Sequence, residues 1–198
     1  TLLEISDVIT PIVNTTFNIT SPNINDIINF TGNFTDGNGL LFANWTFNAS
    51  GFVTKLNYSI SGTSGQISNT TTLTRVDVVN FTLFVTDVKN NVKQNSTLII
   101  VTDNIFPVVN TTFNTTTPRN VDAINFTGNI TDETQLLSAN WTINFSTGKV
   151  FMNYTLSGTT AQVSNTTSLM GIAGGTVLNF TLIATDTSNN VKQNSTLI

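Results

Sequence analysis

Apolar and polar residues alternate with a period of two along much of the chain. The stretch INFTGNFT (28–35) places Ile28 and Phe30 on one face of an extended chain and asparagines and threonines on the other. The stretches ANWTFNAS (43–50) and VVNFTLFVTD (78–87) repeat this pattern, and none shows a helical period. Short segments of this kind, separated by Gly, Asn, Asp and Ser turns, predict β-sandwiches of about seven strands each.

The chain contains an internal duplication. A shift of 96 residues aligns PIVNTTFNIT (11–20) with PVVNTTFNTT (107–116). Three extra residues near MGIAGG (170–175) move the offset to 99, and VKQNSTLI then ends both copies. Each repeat has about 97 residues, which is enough for a separate core.

We therefore predict an all-β protein of two tandem immunoglobulin-like β-sandwich domains in a rod-like arrangement. Residues 9–102 form the first domain and residues 103–198 the second. Residues 1–8 align with the last strand of a repeat, so we expect a terminal strand that belongs to a preceding repeat or is donated to a neighbour. The expected partners are copies of the chain itself in a head-to-tail polymer.

The polar faces carry N-x-S/T triplets, the acceptor signal for N-glycosylation of exported proteins. The chain has twenty, ten in each repeat. The predicted acceptors are Asn14, Asn18, Asn29, Asn33, Asn44, Asn48, Asn57, Asn69, Asn80, Asn95, Asn110, Asn114, Asn125, Asn129, Asn140, Asn144, Asn153, Asn165, Asn179 and Asn194. Thirteen have an apolar or aromatic middle residue, which predicts that the middle residue enters the core while the asparagine faces solvent. Alternation breaks in GQISNTTTL (65–73), so we expect Asn69 and Asn165 in a turn.

Composition supports this interpretation. Only 9% of the residues are charged, so attached glycans would supply the solubility that charges usually give. The alternative is that Asn and Thr are simply polar strand residues without sugar. The net charge of −4, with scattered basic residues, argues against nucleic acid as a partner, and no apolar run approaches the roughly 20 residues of a membrane span.

The acceptor context bears on the source. None of the twenty has the acidic residue two positions earlier that bacterial oligosaccharyltransferases prefer, and the chain has no cysteine. Secreted sandwiches of animals often carry disulfides. We therefore expect an archaeal protein that is extracellular or at the cell surface.

The segments FVTDVKNNV (84–92), LIATDTSNNV (182–191) and VTDNIFPVV (101–109) carry a family resemblance. The chain resembles tandem immunoglobulin-like repeats of bacterial and archaeal surface proteins, of the Big-type and cadherin-like kinds. These repeats close with a T-D-x-x-G-N hairpin, and here Asn90 and Asn189 replace the glycine. The resemblance implies the fold and a role in adhesins, stalks or fibres.

Candidate chemistry is sparse. The chain lacks histidine, the commonest general base and zinc ligand, and we expect no enzyme activity. Eight aspartates recur between the repeats as possible calcium ligands at domain joints, as the cadherin-like resemblance suggests: Asp7, Asp26, Asp36, Asp87, Asp103, Asp122, Asp132 and Asp186. They form no D-x-D-x-D cluster, so structural turns explain them more simply and we expect no metal or cofactor beyond the covalent glycans. Trp45 and Trp141 have the parity of core residues, and Glu133 beside Asp132 is better explained as a solvated turn than as a catalytic pair.

The sequence thus favours a structural, heavily N-glycosylated extracellular protein that forms part of a fibre, pilus-like filament or surface stalk. One alternative is an adhesin or ligand-binding module, for which the MGIAGG insertion is the loop that differs most between the repeats. Another is a surface-layer lattice protein.

Overall fold

The structure, a computed structural model, describes residues 6–49, 52–145 and 148–198. These residues form strands and turns and no helix, which confirms the all-β prediction. The chain divides into two compact units, Thr1–Asp103 and Asn104–Ile198. Of the predicted terminal strand 1–8, residues 1–5 lie outside the described residues, and residues 6–8 have no regular secondary structure.

Unit 1 has seven strands in the part of the chain that is described. They are β1 (Ile12–Phe17), β2 (Ile27–Thr35), β3 (Leu40–Ala49), β4 (Phe52–Ser59), β5 (Ser64–Thr72), β6 (Asp77–Asp87) and β7 (Val92–Val101). They form two antiparallel sheets, one with the order β1-β2-β5 and one with the order β4-β3-β6-β7.

Unit 2 repeats this arrangement in its described residues. Its strands are β8 (Val108–Phe113), β9 (Ala123–Thr131), β10 (Leu136–Phe145), β11 (Gly148–Thr155), β12 (Thr160–Ser168), β13 (Asn179–Asp186) and β14 (Val191–Leu197). The sheets have the orders β12-β9-β8 and β11-β10-β13-β14, again antiparallel.

The core of each unit lies between its two sheets, because the apolar faces of alternating strands meet there. In unit 1, the ring of Phe30 on β2 packs against Phe81 and Trp45 of the opposite sheet, with ring centroids 5.2 and 6.1 Å apart. In unit 2, Phe126 packs in the same way against Phe180, at 4.5 Å. Each unit is therefore a β-sandwich with an aromatic centre.

The hairpin that joins the last two strands of each unit contains the expected asparagine. Asn90 and Asn189 both have φ of 67°, the left-handed conformation that asparagine tolerates better than most residues. Asparagine therefore adopts the left-handed turn conformation that the sequence predicts at this position.

Candidate glycan-acceptor surface

The candidate sites are the twenty N-x-S/T asparagines, all of which lie within the described residues. Eighteen are on strands, while Asn18 and Asn114 directly follow β1 and β8. Twelve are exposed, eight are half-buried and none is buried, so every acceptor side chain has some access to solvent.

Most acceptors lie on the outer faces of the sandwiches. On β2, the buried Ile28, Phe30 and Phe34 alternate with Asn29 and Asn33, as the period of two predicts. The same alternation places sixteen acceptors outward: Asn14, Asn18, Asn29, Asn33, Asn44, Asn48, Asn57, Asn80, Asn110, Asn114, Asn125, Asn129, Asn140, Asn144, Asn153 and Asn179.

Many outward acceptors stand directly opposite one another on neighbouring strands. The opposed pairs are Asn14 with Asn33, Asn44 with Asn57, Asn48 with Asn80, Asn110 with Asn129, Asn140 with Asn153 and Asn144 with Asn179. The Cβ atoms of directly opposed residues are about 4.5–5.5 Å apart. A glycan on one member therefore crowds the second member.

Two outward acceptors hold neighbouring strands through their amide oxygens. The Oδ1 atom of Asn33 accepts a hydrogen bond from Gln66 Nε2 at 2.7 Å, and Asn129 accepts one from Gln162 at 2.8 Å. An N-linked glycan is attached to the amide nitrogen. These hydrogen bonds are therefore compatible with glycosylation of both residues.

Asn18 and Asn114 extend the ladder beyond the ends of β1 and β8. Their Oδ1 atoms accept the backbone N–H groups of Asn29 at 2.7 Å and Asn125 at 2.9 Å. Asn18 Nδ2 also lies 3.4 Å from the Ile27 carbonyl, a long and weak contact. Both asparagines are exposed and combine a strand-end role with an accessible nitrogen.

Asn95 and Asn194, whose triplets have the polar middle residue Ser, face the inside of their sandwiches. Asn95 Nδ2 donates to the backbone carbonyl of Val13 at 2.9 Å, and Asn194 Nδ2 donates to that of Val109 at 2.9 Å. Each bond joins the two sheets of a unit, because β7 and β1, like β14 and β8, belong to different sheets. The nitrogen that a glycan needs is engaged in a structural bridge.

Asn69 and Asn165 lie within β5 and β12, so their predicted location in a turn is wrong. Their Cα partners are the buried Phe30 and Phe126, and the pairing runs through both strands without a shift. The strands β5 and β12 are at the edges of their sheets, where inward positions are only partly covered and polar residues are tolerated. Asn165 Nδ2 contacts the sulfur of Met152.

The middle residue of the triplet gives a partial sequence signal for orientation. All thirteen triplets with an apolar or aromatic middle residue face outward, whereas those with a polar middle residue, N-T-T or N-S-T, include the four inward acceptors and also the outward Asn14, Asn110 and Asn114. An apolar middle residue packs into the core, so the asparagine before it points to solvent. A polar middle residue can face either side of the sheet and does not fix the orientation of the asparagine. The middle residue therefore predicts the orientation better than the triplet itself.

The tryptophans offer no stacking surface for a carbohydrate ligand. Trp45 is 3% exposed and Trp141 is 1% exposed, as expected for core residues. Trp45 packs edge-on against Phe81, with centroids 4.0 Å apart. Glu133 is exposed, whereas its neighbour Asp132 is buried.

Two of the recurring aspartates brace loops before β2 and β9. The carboxylate of Asp26 accepts the backbone N–H of Asn23 at 2.8 Å, and that of Asp122 accepts the N–H of Arg119 at 2.8 Å. The backbone and side-chain hydrogen bonds from Arg119 hold the pKa of Asp122 below its ordinary value. These two residues have the structural role that the simpler interpretation predicts.

Four other aspartates are buried: Asp36, Asp87, Asp132 and Asp186. Burial alone raises the pKa of Asp87, but hydrogen bonds from the Asn91 side chain and from the backbone of Asn91 and Lys89 outweigh it and lower the pKa below its ordinary value. Asp87 is therefore held as a carboxylate beside the hairpin. A carboxylate oxygen of Asp87 lies within 4.8 Å of carboxylate oxygens of Asp7 and Asp36, so these three residues could hold a metal ion.

Comparison with protein-family models gives no match, and comparison with curated proteins gives none either. Among solved structures, a red sea bream transglutaminase matches 93% of this chain at 8% identity and a TM-score of 0.38, and this chain spans 31% of it. A structure of carbohydrate-binding modules from the β-sandwich superfamily matches at 11% identity and a TM-score of 0.41, with 97% of each chain covered. The described residues include no helix that could cross a membrane.

Proposed function

We propose that this chain is a structural, N-glycosylated extracellular protein of two tandem immunoglobulin-like domains, without enzymatic activity, that forms part of a fibre, pilus-like filament or surface stalk. The proposal is carried by one observation: in both units the strands direct N-x-S/T asparagines to the outer faces of the sandwich. Acceptors on a regular strand lattice would coat the protein with sugar on both sheets.

The immunoglobulin-like assignment draws on strand number and on the division into two sheets. In its described residues, each unit has seven antiparallel strands in sheets of three and four, the number found in constant-type immunoglobulin domains. The fourth strand departs from the constant type, because it pairs with the third strand here and belongs there to the sheet of the first, second and fifth strands. The hairpin asparagines Asn90 and Asn189 agree with the resemblance to surface-protein repeats.

A glycan coat would cover apolar side chains that are exposed on the outer surface. Large apolar side chains are exposed there, among them Leu98 at 58% and Ile100 at 57% on the edge strand β7. An exposed apolar edge strand is a site for unwanted pairing with other chains. Bulky hydrated sugars on neighbouring strands would shield these side chains and block such pairing. Charged side chains could not do this here, because only 9% of the residues are charged.

The proposal does not require a glycan on each of the twenty acceptor asparagines. In each unit the three opposed pairs accept one glycan more easily than two, because the second glycan meets the first. Asn18 lies opposite Asn29 in the same way, and Asn114 lies opposite Asn125, so four independent outward positions remain per unit. The inward Asn95 and Asn194 stay unmodified.

Electron microscopy of the native material tests the assembly. Filaments with sugar density on the outward acceptors are expected, whereas flat lattices would support a surface-layer protein and dispersed monomers an adhesin module. We further propose an archaeal source and head-to-tail partners joined by the N-terminal segment. Deletion of residues 1–5, which retains Asp7, should then abolish polymerisation but leave the thermal unfolding unchanged, and filaments that persist would refute strand donation.

A further inference from the structure

Three aspartates from distant parts of unit 1 meet at one end of the sandwich. Asp7 precedes β1, Asp36 directly follows β2, and Asp87 is the last residue of β6. One carboxylate oxygen from each lies within 4.8 Å of the others. Asp36 is 7% exposed and Asp87 is 0% exposed, so two of the three charges are removed from water. Like charges at this spacing repel one another strongly in a buried setting.

Two carboxylate oxygens of this cluster are buried without a hydrogen-bond partner. Asp36 Oδ1 accepts the backbone N–H groups of Asn38 at 2.8 Å and Gly39 at 3.0 Å, whereas its Oδ2 is buried without a hydrogen-bond partner. The two carboxylate oxygens of Asp7 differ in the same way. Its Oδ1 accepts the backbone N–H of Ile9 at 3.0 Å, and its Oδ2 is buried without a hydrogen-bond partner. Buried polar atoms of native proteins are rarely left unpaired, and a bound ion can supply the partner that the protein itself does not.

The remaining carboxylate is fixed in place. Asp87 Oδ1 accepts the backbone N–H groups of Lys89 and Asn91, each at 2.8 Å, and Oδ2 accepts Asn91 Nδ2 at 2.7 Å. Asn91 Nδ2 also lies 3.2 Å from the backbone carbonyl of Asp7. The hairpin thus holds two members of the cluster together before any ligand binds.

We propose that Asp7, Asp36 and Asp87 bind a divalent cation of the calcium type. Calcium takes six to eight oxygen ligands at about 2.3–2.6 Å, so two ligands on one ion can lie up to about 4.6–5.2 Å apart. The three carboxylate oxygens all lie within 4.8 Å of one another, which is inside this range. Magnesium needs a shorter and stricter octahedral arrangement, which three carboxylates from separate loops match less well.

Unit 2 contains the counterparts of two of these three carboxylates, Asp132 for Asp36 and Asp186 for Asp87. Asp132 is 7% exposed, its Oδ1 accepts the backbone N–H of Thr134 at 2.9 Å, and its Oδ2 is buried without a partner. Asp186 accepts the N–H groups of Ser188 and Asn190, each at 2.8 Å, as Asp87 does in unit 1. Carboxylate oxygens of Asp132 and Asp186 lie within 4.8 Å of each other. The proposal therefore extends to a second site that includes these two residues.

Calorimetric titration of the 198-residue chain with calcium chloride, after removal of metal with EDTA and dialysis, tests the proposal. Two ions per chain are expected, and one ion after Asp36→Asn, which keeps the Oδ1 acceptor but loses the charge. The double variant Asp36→Asn with Asp132→Asn should bind none. Asp26→Asn is the matched control, because it removes one charge outside the cluster and should still bind two.

Thermal unfolding provides a second readout. Calcium at about 100 times its Kd should raise the Tm of the first domain by roughly 10 °C, and Asp7→Asn, at a half-buried position, should lose this shift without loss of the fold. The proposal is overturned if calcium up to about 10 mM, above the Kd range of extracellular modules, gives neither heat nor a Tm shift. It is equally overturned if Asp36→Asn and Asp7→Asn bind calcium as well as the unmodified chain, or if magnesium produces the same shift.

Discussion

The packing of the two sheets can be tested at Gly32, the centre of the strand that carries Asn29 and Asn33. Gly32 is on the inner face of β2, and a Cβ atom there would lie less than 3.0 Å from Cδ2 of Leu83 on the opposite sheet. Carbon atoms pack best at about 3.5–4.0 Å, so Leu83, which is 0% exposed, would have to move against its neighbours. Overpacking of this kind destabilises the fold by about 1–3 kcal/mol. Alanine also lowers the conformational entropy of the unfolded chain, which offsets about 0.4–1 kcal/mol of this loss.

Gly32→Ala should therefore lower the free energy of unfolding by about 1–2 kcal/mol, seen in calorimetry as a fall of about 5–10 °C in the Tm of unit 1. The control is Gly37→Ala, because no atom lies within 4 Å of a Cβ there. Combining Gly32→Ala with Leu83→Ala should cost less than the sum of the two single changes, since the clash is removed. If Gly32→Ala is as stable as Gly37→Ala, the sheets do not pack as described.

Three other substitutions probe the inward asparagine, the hairpin aspartate and the aromatic core. Asn95→Ala loses the bridge to the Val13 carbonyl and should cost about 1 kcal/mol in urea unfolding, whereas Asn57→Ala, on the exposed outer face, should stay within about 0.5 kcal/mol. Folding lowers the pKa of Asp87, so its carboxylate stabilises the folded state near neutral pH. This contribution to the free energy of unfolding is lost as the pH falls below about 4. The Tm difference between the unmodified chain and Asp87→Asn should therefore narrow in acid, and a constant difference would contradict this. Trp45→Ala should lower the free energy of unfolding by about 3–5 kcal/mol and abolish the cooperative change in the near-ultraviolet circular dichroism of unit 1.

The sequence predicts the strands best where one face is clearly apolar. On β2 and β6 most large apolar residues share one parity, and only Ile27, Val78 and Phe84 fall on the other, so the inner face can be read from the sequence. On β7 both parities are mixed, because Leu98 and Ile100 compete with Ile99 and Val101. The structure buries Ile99 and Val101, and this choice turns Asn95 inward. Alternation shows which residues share a face, but packing against β1 decides which face is inside.

The aspartates show a different limit of sequence reasoning. The repeat identified eight recurring residues, but it could not separate Asp26, which braces a loop, from Asp36 and Asp87, which meet. A search for closely spaced ligands such as D-x-D-x-D misses this cluster, because Asp7, Asp36 and Asp87 come from three segments that only the fold brings together. Proximity of this kind depends on strand order, which the pattern of alternation does not contain.

Site-resolved mass spectrometry of glycopeptides from the native protein tests whether strand geometry presents sugars on the outside of each sandwich. Glycans are expected on outward acceptors in both repeats, with one member of each opposed pair, such as Asn14 and Asn33, favoured over the other. Asn95 and Asn194 are expected to be unmodified. Bare asparagines at all outward positions, or Asn95 and Asn194 modified as fully as the rest, would contradict this arrangement.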